Sequence, residues 1–181
     1  MQIKRAWNII KDSRNYIYTI TGIFIFGILL GFFMFDKMPI DILQYIEAII
    51  KQLEGKSALQ ISLFIIINNV KVTIYALVLG IFAGIFPIIF TLINGFIIGA
   101  VSRTAVIQEN AFVLWKLIPH GIFEIPAIIL AFSFGLKLGM QWFKPPQMET
   151  ITNTVKEIIV IFLYIILPLL IIAGLIEGFL I

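Results

Sequence analysis

A chain of 181 residues that is 61% hydrophobic, 13% charged and has a mean hydropathy of +1.08 differs from soluble domains, which carry about 45–50% apolar and about 25% charged residues. Its polar residues are too few to cover the apolar ones in water, so the composition excludes a soluble domain of any size. Zero cysteines exclude disulfides, thiolate metal sites and thiol nucleophiles, and the small net charge of +3 leaves no footprint for nucleic acid.

Residues 1–15 form a basic lead with Lys4, Arg5, Lys11 and Arg14, and Trp7, Tyr16 and Tyr18 suit the belt where aromatic rings meet headgroups. The positive-inside bias places this end in the cytoplasm and the chain in the cell membrane. The apolar run over 16–35 is long enough to span a hydrocarbon core of roughly 30 Å. It is too long for the core of a signal peptide and ends at Asp36 without a small-residue cleavage site, so it reads as a retained first helix. Beyond Pro39, Ile42, Ile46, Ile49, Ile50 and Leu53 recur at helical spacing, Asp41 and Gln44 have capping-box spacing, and Gly55 suits an end. This predicts an amphipathic helix over 41–56, too short and too charged to cross, lying on the membrane surface or against the bundle.

Ser57 and Gln60 again have capping-box spacing, and Lys71 is the one charge in 58–102. Asn68-Asn69-Val70-Lys71 interrupts the apolar run, which predicts a short interfacial or re-entrant piece over 58–67 and a crossing that begins near Val70. An unbroken helix over 70–102 would measure about 50 Å, so the stretch must tilt, kink at Pro87 or break at Asn94-Gly95. A polar connection over 103–116 leads to an apolar segment, 117–136, interrupted by Pro119 and Pro126. A second connection, 137–156, contains Pro145-Pro146, and a last apolar helix over 155–175 has Pro168 as its kink and Glu177 near its end. The expected fold is an all-α, polytopic transmembrane helix bundle of four or five crossings, with broken or re-entrant helices and one amphipathic surface helix. The whole chain, 1–181, forms a single integral membrane domain.

Ten of the 13 glycines fall into pairs four apart: Gly27/Gly31, Gly80/Gly84, Gly95/Gly99, Gly135/Gly139 and Gly174/Gly178. Small residues one turn apart let membrane helices approach closely, within one chain or between copies. Membrane lipids are the implied surroundings. Homo-oligomerisation and other membrane or envelope proteins are the expected partnerships.

Charge within lipid is costly, so acids in apolar segments face the bundle interior and tend to matter functionally. Glu124 is the leading candidate, and His120, four residues earlier, shares its helix face. The pair admits three readings: mutual satisfaction at a broken helix, a proton or ion relay within a transporter or channel, or metal or enzyme chemistry. The last lacks parts, since His120 is the single histidine, no H-E-x-x-H occurs and no convincing nucleophile accompanies it. No catalytic set is complete, so no enzyme activity, cofactor or metal is expected. Asn68, Asn69 and Asn94 can hydrogen-bond between helices, and Glu177 reads as interfacial.

These residues carry a resemblance. Phe64-Ile-Ile-Ile-Asn68-Asn69, Asn94-Gly95-Phe-Ile-Ile-Gly99, Pro119-His120-Gly121-Ile-Phe-Glu124-Ile-Pro126-Ala127, Gly135-Leu-Lys-Leu-Gly139 and Ile176-Glu177-Gly178, in that order and spacing, resemble the stage II sporulation protein M family of integral membrane proteins. The proline-flanked His120 to Ala127 run is the most specific element. The resemblance implies a membrane scaffold, which in spore-forming bacteria gathers peptidoglycan-remodelling proteins during engulfment. It marks His120, Glu124, Asn68, Asn69 and Asn94 as the motif-matching polar positions.

Overall fold

The computed structural model describes residues 2–34, 55–108 and 114–180. Among them the helices are α1 (Gln2–Asp12), α2 (Arg14–Met34), α3 (Ala58–Leu79), α4 (Ile85–Gln108), α5 (Leu114–Met140), α6 (Gln147–Ile161) and α7 (Leu167–Leu180). A 3-10 turn, Gln141–Phe143, follows α5, and a π turn, Phe162–Ile166, joins α6 to α7. No strand occurs among the described residues. Five helical stretches are long and apolar enough to cross a membrane: Arg14–Met34, Ala58–Leu79, Ile85–Ile107, Gly121–Phe143 and Gln147–Glu177. The fold is an all-α polytopic bundle, and of the four or five crossings expected, five candidate spans occur among the described residues. The amphipathic helix expected over 41–56 lies outside the described residues except at its last two positions.

The breaks fall elsewhere than the polar interruptions suggested. Helix α3 runs from Ala58 through Asn68 and Asn69 to Leu79 without interruption, so 58–67 is neither re-entrant nor a separate piece. Its start is the Ser57/Gln60 capping box, with Ser57 N–H donating to Gln60 Oε1 at 2.9 Å and Gln60 N–H to Ser57 Oγ at 3.4 Å. The chain turns at 80–84, where Ala83 and Gly84 both have left-handed backbone, φ 51° and 73°. Pro87 is the third residue of α4, in the first turn, where a missing N–H leaves no intrahelical bond unmade. It starts a helix and does not kink one.

Asn94-Gly95 does not break α4, which continues to Gln108, and α5 passes through Pro119 and Pro126 to Met140. The two predicted polar connections therefore shrink: helix occupies most of 103–116, and the second connection reduces to 141–146. Pro168 acts as expected of a helix-interior proline, which removes one donor and crowds the preceding turn. The preceding turn widens, and Leu167 N–H reaches back to Phe162 O in an i→i−5 bond.

Helix α5 packs against α2, α3, α4, α6 and α7. Half of its span is buried, against 22–28% in the other four. Ala127, Ala131, Phe132 and Phe134 on it are wholly buried. Lipid tails are as apolar as leucine, so close packing, not water exclusion, must hold the spans together. The glycine pairs supply it. Gly27 and Gly31 of α2 cross Gly95 and Gly99 of the parallel α4, and a Cβ on Gly27 would lie 2.8 Å from Leu92 O and 3.3 Å from Gly95 Cα. Gly135 and Gly139 of α5 meet Ala76, Gly80 and Gly84, and a Cβ on Gly135 would lie 2.5 Å from Ala76 O. Gly174 of α7 rests on Ser62 and Ile66 of α3.

Candidate functional site

His120 and Glu124 both lie on α5, one turn apart, in the half nearer Leu114. Glu124 is half-buried. Helices α3 and α5 run parallel with Gly135 beside Ala76. Carried back at about 1.5 Å per residue, that register sets Glu124 level with the stretch of α3 leading up to Asn69. Asn69 is buried and Asn68 beside it is exposed. Asn94 is half-buried on α4 and its Nδ2 donates to Phe90 O at 2.8 Å on its own helix. Glu177, also half-buried, stands three residues beyond the Gly174 contact, toward the start of α3. The fold thus sets Glu124 about one helical turn from the level of Asn69, while Asn68 is exposed and Asn94 bonds within α4.

Four hydroxyls of the spans behave like Asn94, whereas Ser62 Oγ on α3 is buried and has no hydrogen-bond partner among the described residues. Thr73 donates to Val70 O at 2.9 Å, Thr91 to Pro87 O at 2.6 Å, Thr104 to Ala100 O at 3.0 Å and Ser133 to Ile129 O at 2.6 Å. Each of these four hydroxyls is satisfied by the preceding turn, so its donor is spent within the helix. Among the described residues no group of three or more His, Cys, Asp or Glu is placed to hold a metal ion.

A second polar cluster, at the opposite end of α5, was not anticipated from the sequence. Lys137 Nζ donates to Glu157 Oε2 on α6 at 2.5 Å and to Ser13 Oγ, at the joint between α1 and α2, at 3.0 Å. Its ammonium also lies 5.5 Å from the Phe134 ring centroid. Gln141 Nε2 donates to Lys137 O, and Lys144 Nζ donates to Tyr16 OH at 2.9 Å. Trp142 Nε1 ties the same end to the α3–α4 turn through Ile81 O at 2.6 Å. A Ser–Lys pair can form a nucleophile and base. Here Ser13 is 1% exposed and Lys137 is ion-paired to Glu157, an arrangement suited to fastening three segments. Assigning 137–156 to a polar connection concealed this, although Lys137 flanked by Leu136 and Leu138 was a sign of a charge on a buried helix.

Five apolar spans, four of them packed against the central α5, define a polytopic α-helical membrane protein. The chain belongs to the stage II sporulation protein M family, whose model matches residues 20–180. No curated protein and no solved structure matches the chain. The matched segment contains the last four spans whole and the first from residue 20 onward, and it leaves out all of α1.

Proposed function

We propose that the protein is a membrane scaffold or a structural component of a membrane complex, without catalytic activity of its own. One observation carries this reading: Thr73, Thr91, Ser133 and Asn94 bond to their own helices while glycine faces knit the spans backbone to backbone. Such an interior is committed to holding shape, and it leaves outward faces for other proteins. Homo-oligomers and other membrane or envelope proteins are the proposed partners. The basic α1 supports a cytoplasmic N-terminus in the cell membrane. Crosslinking in native membranes followed by purification of the full chain should recover a reproducible protein partner, and recovery of none overturns the proposal.

A transport role is the second reading, favoured by the half-buried Glu124 about one helical turn from the level of the buried Asn69. In proteoliposomes, ion or solute flux should then fall on Glu124→Gln with the fold intact. Unchanged flux rejects this route.

A further inference from the structure

Helix α1 presents three different faces. At about 100° per residue, Ala6, Ile9 and Ser13 form one stripe, and all three are buried. This stripe faces the bundle, where α1 packs against α6 and the π turn. Adjacent to it lie Ile3 and Trp7, which are large, apolar and 71% and 56% exposed. Lys4 and Lys11 come next around the helix, both exposed, with Lys11 Nζ 5.7 Å from the Trp7 ring centroid. Arg14, at the start of α2 just beyond Ser13, is also exposed.

The depth of α1 is fixed by what it touches. The polar segment 147–157 gives way to an apolar run at Ile158, and α1 packs on α6, which contains this transition, and on the π turn just beyond it. An amphipathic helix at that level sits in the plane of the headgroup and acyl boundary, its apolar flank toward the tails and its cations toward the phosphates. Four basic residues against the single Asp12 in 2–14 give the face its sign.

We infer that α1 and the start of α2 form an anionic-lipid recognition element, in which Lys4, Lys11 and Arg14 hold lipid phosphate while Ile3 and Trp7 enter the acyl layer. The inference rests on the five membrane spans and is independent of the scaffold role. A juxtamembrane cation near an anionic surface strengthens binding by about fivefold, so three acting together produce a clear preference.

The test uses the full chain reconstituted in phosphatidylcholine bilayers containing a minor fraction of spin-labelled phosphatidylglycerol or spin-labelled phosphatidylcholine. The protein-associated fraction of each label is read by electron spin resonance. The wild-type chain should enrich the anionic probe on the order of fivefold or more over the zwitterionic one, with the preference decaying as salt is raised. In Lys4→Gln/Lys11→Gln/Arg14→Gln the two probes should associate almost equally. Equal association in the wild type, a salt-independent preference, or full enrichment retained by the triple variant each overturns the inference. The wild-type salt series decides the matter without the variant. Failure of the chain to enter the bilayer would show as no associated lipid of either kind, which separates the loss of the membrane reading from the loss of this one.

Discussion

Lys137 on α5 and Glu157 on α6 meet at 2.5 Å, and the same ammonium reaches Ser13 Oγ at 3.0 Å, so one side chain joins the α1–α2 joint, the central helix and the last span. The lysine side chain is 14% exposed and the glutamate 30%. Breaking a buried pair from one side leaves a charge without compensation, at a cost of about 3–5 kcal/mol when burial is complete. Exposure discounts that figure here, and unequally. Glu157→Leu strands the more buried partner and should destabilise the chain by roughly 2–3 kcal/mol. Lys137→Met leaves a carboxylate that water can reach and should cost roughly 1–2 kcal/mol. The double variant should cost less than the two single changes added, because neither charge is left behind. Equilibrium unfolding in detergent checks the order, and additive losses would mean that the pair is not coupled.

The glycines of α2 provide an internal control. A methyl group on Gly27 would meet Leu92 O at 2.8 Å and Phe96 N at 3.2 Å, both backbone atoms that cannot rotate aside, whereas Gly22 on the same helix has nothing within 4 Å. Gly27→Ala should therefore destabilise by about 1–3 kcal/mol, the usual cost of overpacking. Gly22→Ala should be neutral or stabilising by up to about 1 kcal/mol, since alanine is the better helix former. Equal effects in thermal unfolding would remove α2–α4 close contact from the account of stability.

What the sequence made legible follows from which physics is local. Span length, the Ser57/Gln60 cap and the glycine spacing are properties of short windows, and they led to an all-α bundle of the right kind. The turn at 80–84 was hidden because Gly80/Gly84 also reads as a packing pair, while Asn68-Asn69 looked like a breaker. Burial of Asn69 against the bundle is a tertiary fact that outweighs its weak helix propensity. Pro87 was ambiguous for a related reason: whether a proline kinks or starts a helix depends on where the helix begins. For the candidate site, the placement of His120 and Glu124 one turn apart on a single helix followed from sequence, but the turning of Asn94 onto Phe90 O did not. Lys137, Glu157 and Ser13 lie on three segments and no local pattern links them.

Ala83 adopts φ 51° in the turn between α3 and α4. The left-handed region costs a residue with a Cβ about 1–2 kcal/mol, and glycine none. Part of that gain is lost because glycine also loosens the unfolded chain. Ala83→Gly should therefore raise stability by about 0.5–1 kcal/mol, read as a higher unfolding midpoint. A lower midpoint would show that the Ala83 methyl makes packing contacts worth more than the strain.

Five crossings fix a parity that surface labelling can read, and the absence of cysteine from the chain makes single-cysteine variants free of background. Counting spans from the start, α1 and the turns at 80–84 and 141–146 share one side, and residues 55–57 lie on the other. Three hydrogen bonds agree with this: Lys137 to Ser13, Lys144 to Tyr16 and Trp142 to Ile81 all gather the first of these sides together. Lys4→Cys and Met148→Cys, both at exposed positions, should react with a membrane-impermeant maleimide from one side of sealed, uniformly oriented vesicles. Lys56→Cys should react only from the other. If one of the four spans that precede Met148 lay outside the bilayer, Met148 would instead label from the side opposite Lys4.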